Sequence, residues 1–261
     1  MEPIRKRELL GIPVAITDYD GAIEQIDGMI ERGERGYLCA AAVHVMMVAQ
    51  RDASTRAALA GATLVVPDGR PLIWALGRLG ERVPDRVYGP ELMRRYCAHA
   101  PSAGRSIYLF GGHSPEALTL LERKLSEANP GIEIVGSWRP PYSSLDDLVG
   151  DQIAERINAA KPDIVWVGLG APRQEQWMAA MRSRLEAPVL CGVGAAFDFL
   201  AGIKSQAPPW MQRHGLEWAY RMAQEPRRLA PRYLRNNPAF VVAVMQQMVR
   251  ERRGSPGQAR A

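Results

Sequence analysis

Asp68 stands in the stretch VVPDGRPL, where an apolar run stops at a carboxylate held between Pro67 and Gly69. Pro67 fixes its own φ and Gly69 tolerates backbone shapes closed to other residues, so Asp68 is presented on a stiff turn. A carboxylate so held can take a proton from a hydroxyl, or it can simply hydrogen-bond within its own turn. A second chemistry resides in glycines. Gly111-Gly112, Gly168-Leu169-Gly170 and Gly194 each follow a strand-like apolar run and precede a helical pattern. Glycine at that junction lets an anion approach backbone N–H groups, with the helix dipole favouring negative charge. One such loop is compatible with a plain tight turn; several on one sheet edge point to a nucleotide pocket. His44, just after an apolar run, can hydrogen-bond a ligand or settle into the core.

The elements that must position these residues alternate in type. Strand-length apolar runs at Tyr37–Ala42, Thr63–Val66, Ser106–Phe110, Ile132–Val135, Asp163–Val167 and Pro188–Val193 are separated by helical patterns. Those patterns cover Val45–Ala60, Pro71–Leu79, Pro90–His99, Pro115–Ala128, Leu145–Ala160 and Pro172–Leu185. Several open with proline, whose missing N–H costs nothing in a first turn. The alternation predicts an α/β fold, a mostly parallel sheet with helices on both faces, whose ligands gather at the carboxyl ends of the strands. After about Gln206 the pattern turns purely helical.

Charge divides the chain at the same point. The net charge is +5 over 261 residues, yet residues 206–261 hold ten arginines, no lysine and three glutamates, a net of +7. The preceding 205 residues carry −2. A near-neutral body with a basic tail suits a polyanion or an anionic membrane surface. The apolar run PAFVVAVMQQMV within that tail is too short to span a bilayer and can either pack on the body or lie in a membrane interface. Expected divisions are a catalytic body at 1–205, a basic helical appendage at 206–253 and a disordered tail at 254–261.

Several classes are set aside. Cys39, Cys97 and Cys191 are odd in number and widely spaced, which fits a reducing compartment and offers no metal spacing. Glu8 and Pro13 interrupt the N-terminal apolar stretch, so it does not read as a signal peptide. The dinucleotide fingerprint fails: Arg173 stands where the third glycine should follow Gly168 and Gly170, and Phe197 where it should follow Gly192 and Gly194. No Walker-type loop occurs, and the basic tail lacks a nucleic-acid recognition motif, so no nucleic acid is expected as a partner.

Five stretches in order, VVPDGRPLIW, RVYGPELM, VGLGAPRQEQW, GVGAAFDFLAG and QAPPWMQRHGLEWAYRMAQEPRRL, resemble the motif series of the WecG/TagA/CpsF glycosyltransferases. The similarity runs from about Glu8 to Pro238. It implies a Rossmann-like body with a helical C-terminal appendage. It also implies an inverting, metal-independent enzyme that needs no cofactor. Such an enzyme moves a sugar, often N-acetylmannosamine, from a UDP-sugar to a polyprenyl-diphosphate-linked sugar. The expected place is the cytoplasmic face of the plasma membrane, in teichoic acid or exopolysaccharide synthesis, with a homo-oligomer possible. A member that keeps the UDP pocket but acts as a scaffold without turnover is the second reading.

Residue by residue, the resemblance makes Asp68 the base and puts Arg86 near the diphosphate or acceptor. Arg221 and Arg228 match appendage positions thought to close over the site. Gln174 matches a pocket residue that contacts the sugar or acceptor, and Glu175 after it either joins that substrate contact or only favours the helix N-terminus. Asp198 and Tyr142 are placed near the uracil, alongside the glycines Gly111, Gly112, Gly168 and Gly170. Many relatives carry Thr, and often Asn, at the end of the strand that here reads Cys39-Ala40-Ala41-Ala42. Pro231, ahead of Arg232, reads as the start of a new helix.

Overall fold

Eight strands form one sheet: β1 (Lys6–Leu9), β2 (Ile12–Ala15), β3 (Gly36–Ala41), β4 (Leu64–Pro67), β5 (Ser106–Gly111), β6 (Glu133–Trp138), β7 (Ile164–Gly168) and β8 (Val189–Gly192). The computed structural model describes residues 4–141, 144–208, 210–211 and 215–254. Strand order is β1-β2-β4-β3-β8-β7-β5-β6; β1 and β2 are antiparallel and every other pairing is parallel. The six predicted strands are all present within a few residues. The β1–β2 hairpin is an addition that the sequence reading did not contain.

Period-two alternation divides the strand side chains between two cores, as a sheet covered on both faces requires. Cys39, Val65, Tyr108, Phe110, Val165, Val167 and Leu190 point to one face, while Leu38, Leu64, Val66, Ile107, Leu109, Trp166 and Cys191 point to the other. Helices α2 (Val43–Ala49), α3 (Ala53–Ala60), α4 (Arg70–Arg78), α7 (Asp151–Ala159) and α8 (Arg173–Met181) cover the first face. Helices α1 (Tyr19–Glu31), α5 (Gly89–Ala103), α6 (Pro115–Ala128) and the short α9 (Ala196–Leu200) cover the second. On the first face Phe110 and Trp177 stack at 4.2 Å, and the Trp177 indole N–H donates to the Leu148 carbonyl at 2.7 Å. That pins α8 to the sheet beside the glycine loop it follows.

Two predicted helices are in fact split. The Val45–Ala60 pattern divides because Asp52 caps a new helix, accepting from the Thr55 N–H at 2.8 Å. The Leu145–Ala160 pattern divides at Gly150, with a 3-10 turn at Asp146–Leu148 before α7.

The basic segment forms α10 (Glu217–Gln224) and α11 (Pro226–Gly254). Pro231 does not begin a helix; α11 runs through both Pro231 and Pro238, whose exposed sides leave the released carbonyls within reach of water. One face of α11 packs on the body: Phe240 and Val244 are fully buried, and Gln247 accepts from the Leu10 N–H at 2.8 Å and donates to the Glu8 carbonyl at 3.0 Å. The opposite face exposes Leu234, Val241, Val242, Met245 and Val249, a single arc of about 100° on the helix. The apolar run therefore packs on the body by one face and leaves a stripe of apolar side chains exposed on the other. The expected tail at 254–261 lies, beyond Gly254, outside the described residues.

Candidate active site

The carboxyl ends of β3, β4, β5, β7 and β8 converge on a cavity of about 360 Å³. Its walls include Ala40 and Ala42 after β3, Asp68 after β4, Gly112 and His113 after β5, and Gly168–Ala171 after β7; Gly194–Ala195 and Phe197–Phe199 follow β8. The appendage closes it with Arg221 and Arg232. Four of these loops are where sequence spacing placed ligand chemistry.

The glycines divide by role. Gly170 has φ +79°, and a Cβ there would meet open space, so this loop turns without crowding the cavity. Gly112, at φ +106°, also lines the wall, and its N–H already donates to the Gly168 carbonyl at 3.2 Å. Gly111 is different. A Cβ on it would lie 2.8 Å from the Gly168 backbone, so its smallness serves the closeness of β5 and β7 rather than ligand contact. Gly168 lines the cavity but equally makes room for the Phe197 ring, 2.9 Å from its would-be Cβ.

A second cavity of about 190 Å³ lies between the body and the appendage. His44, Arg70 and Arg86 line it from the body; Glu217, Trp218, Arg221, Arg232 and Tyr233 line it from α10 and α11. Ala42, Asp68, Tyr88, Arg221 and Arg232 belong to the walls of both cavities. Asp68 thus stands at the join. Its carboxylate accepts from the Gly89 N–H at 3.3 Å, and its remaining exposure is onto the two cavities. Burial pushes its pKa up to about 6, against the opposing pull of the Arg86 and Arg221 guanidiniums. A carboxylate tuned close to neutrality is suited to taking and releasing a proton.

Arg86 is 8% exposed and forms an ion pair with Glu217 of α10; its guanidinium also lies 5.0 Å from the Tyr88 ring centroid. Burial opposes its charge, but the Glu217 hydrogen bond and charge hold its pKa above the ordinary arginine value. His44 accepts at Nδ1 from the Asn236 amide at 3.2 Å, an amide whose oxygen takes an Arg51 N–H at 3.3 Å. That chain of bonds leaves the proton on Nε2. Burial, with Arg232 and Arg51 nearby, lowers the His44 pKa to about 4, so the ring is neutral at pH 7.

Gln174 lies on the wall of the first cavity at 3% exposure, whereas Glu175 is 0% exposed and faces the core. The Gln174 amide donates to the Glu175 carboxyl at 2.9 Å, and burial raises the Glu175 pKa to about 7. Glu175 is therefore on the wall of neither cavity and is a buried partner of Gln174. Asp198 lines the first cavity but is committed to Lys204 at 2.9 Å, and Lys204 also meets Glu225 at 3.1 Å. Arg221 reaches both cavities and sits 5.7 Å from the Phe199 ring. Arg228 is on α11, but its side chain lies outside the described residues; Tyr142 lies outside them altogether.

Sequence reasoning missed Tyr88, Lys204, Glu217 and Arg232. Tyr88 and Glu217 lie inside the quoted stretches RVYGPELM and HGLEWAYR, which was the available signal. Lys204 had none. Among the described residues no three His, Cys, Asp or Glu side chains gather into a group that could hold a metal ion.

A profile of the Glycosyl transferase WecG/TagA/CpsF family matches residues 7–254. An N-acetylglucosaminyldiphosphoundecaprenol N-acetyl-beta-D-mannosaminyltransferase of Bacillus spizizenii strain W23 is 28% identical over 219 residues, covering 83% of this chain and 81% of that relative. Proteins of the same name from Staphylococcus aureus strains MW2 and NCTC 8325 are 28% identical over 183 residues, covering 70% of this chain and 69% of each relative.

Proposed function

The chain belongs to the WecG/TagA/CpsF family of glycosyl transferases, and from that membership we propose that it moves a sugar from a UDP-sugar to a polyprenyl-diphosphate-linked sugar. The first cavity takes the donor and the second takes the acceptor. The observation that carries this reading is the position of Asp68 on the walls of both. Transfer requires a donor carbon and an acceptor hydroxyl to meet at one base, and Asp68 is at that meeting point. The named relatives transfer an N-acetylmannosaminyl group, which makes N-acetylmannosamine the first donor sugar to test.

In this reaction the acceptor hydroxyl attacks the anomeric carbon as Asp68 takes its proton. The new C–O bond forms opposite the breaking bond to phosphate, and UDP departs with inversion. Its developing charge is met by Lys204, Arg221 and Arg232, all on the wall of the first cavity. Gln174 offers an amide to the donor from the same wall. Neutral His44 presents Nε2–H on the acceptor side.

Delivery of a lipid-linked acceptor fits a peripheral membrane protein on the cytoplasmic face. No helix among the described residues is long and apolar enough to cross a membrane. The outward stripe of α11 is accompanied by exposed Arg227, Arg235 and Arg252, a pairing suited to an anionic interface. Trp218 is 46% exposed and also lines the second cavity, so a large apolar ring stands at the edge of that cavity. The test is incubation with a panel of UDP-sugars and a short-chain polyprenyl-diphosphate-GlcNAc, with products weighed by mass spectrometry. A product extended by one sugar from one donor is expected. UDP-sugar binding with no extension of this acceptor would contradict the assignment.

A further inference from the structure

Arg86 and Glu217 are 131 residues apart and pair across the join of body and appendage. Resting on the reading above, we propose that Glu217 is an exchangeable counter-ion, holding Arg86 until the acceptor's diphosphate replaces it in the second cavity. The two partners are held very differently. Arg86 is buried and packed against Tyr88, whereas α10 contains no fully buried residue and starts at Leu216 without a side-chain cap. Displacing Glu217 therefore disturbs little packing, while Arg86 stays in place.

Charge argues the same way. The described wall of the second cavity carries Arg70, Arg86, Arg221 and Arg232 against two carboxylates, Asp68 and Glu217. A diphosphate can take over the role of Glu217 toward this cluster. It would be repelled by Glu217 if that carboxylate stayed on Arg86. Glu217 is then a positioning residue that acts through Arg86 and, by its charge, on Asp68. The charged and titratable groups facing Asp68 are Arg86, Arg221, Arg232, Glu217, Tyr88 and Tyr19. Among them Glu217 opposes the ionisation of Asp68 and Arg86 favours it.

The experiment measures binding of inorganic pyrophosphate to the full chain by calorimetry, with UDP saturating the donor cavity. Glu217→Gln is expected to bind pyrophosphate at least threefold more tightly than wild type, and Arg86→Gln at least tenfold more weakly. The acid limb of kcat/KM in Glu217→Gln should also move to lower pH. Equal or weaker binding in Glu217→Gln, or a general loss of rate with the limb unmoved, overturns the proposal and makes the pair a structural pin. If Glu217→Gln fails to fold, Glu217→Asp decides: its retracted carboxylate predicts tighter pyrophosphate binding, and unchanged binding overturns it. Failure of UDP to bind would refute the donor assignment instead, while the pyrophosphate series still reads the second cavity.

Discussion

Replacing Asp68 by Asn should stabilise the protein and sharply slow transfer together. The fold raises the Asp68 pKa from 3.8 to about 6, chiefly by burial. The native state therefore binds this proton more tightly than the unfolded chain does. Stability from that preference is complete below pH 3.8 and is lost as pH rises through about 6. A shift of about two units corresponds to about 3 kcal/mol at 1.36 kcal/mol per unit. Because the carboxylate keeps some exposure to the cavities, about 1–2 kcal/mol is the realistic share. Asn is nearly isosteric, and its oxygen can still accept from the Gly89 N–H. Asp68→Asn should accordingly raise the melting temperature by about 3–6 °C at pH 8. The difference should vanish near pH 4, where wild-type Asp68 is protonated. Loss of the base should lower transfer by about 10²- to 10⁴-fold with UDP binding largely kept. Paired thermal scans at the two pH values, with UDP release at pH 8, provide the assay. A variant less stable than wild type at pH 8 would contradict the burial of a charged Asp68, and one that retains the rate would remove Asp68 as the base.

Further outcomes follow from other parts of the molecule. The His44 ring should titrate near pH 4 by NMR; its neutral-state stability is full above pH 6.5 and is lost as pH falls through 4, so a midpoint near 6.5 would contradict its burial. Trp177→Ala removes the stack on Phe110 and the bond to Leu148 and should cost about 3–5 kcal/mol in urea unfolding. Replacing Val242 and Met245 together by Glu should leave stability near wild type, since both are more than half exposed. It should weaken flotation with anionic vesicles by at least about tenfold, from about 1 kcal/mol of apolar contact per residue plus charge repulsion; unchanged flotation would remove this stripe from the membrane face.

Strands β4, β5, β7 and β8 were legible because each is an apolar run closed by glycine or proline. The β1–β2 hairpin was not. Its turn places Leu10 at φ +54° and Gly11 at φ +79°, a conformation for which leucine is a poor signal, and LLGIPVAI hides the alternation. Asp52 is a cap inside a pattern that stays apolar and helical on both sides, so periodicity alone ran the two helices together. At the site, glycine spacing located the first cavity, and the motif resemblance singled out Asp68. Of the second cavity, His44, Arg86 and Arg221 were named one by one, but their partners were not, because Arg86 and Glu217, or His44 and Asn236, meet only after α10 and α11 fold back on the body. Gln174 and Glu175 show a finer limit: adjacent in sequence, they face a cavity and a core respectively, and the direction of the helix decides which.

As the proposed base at the join of the two cavities, with a pKa near 6, Asp68 should set the acid limb of the transfer rate. The most direct measurement is kcat/KM for the acceptor against pH at saturating donor, in wild type and Asp68→Asn. The wild-type rate should fall by about tenfold per pH unit below about pH 6, with no such limb in the residual rate of the variant. A wild-type profile flat from pH 5 to 7.5, or the same acid limb surviving in Asp68→Asn, would contradict it.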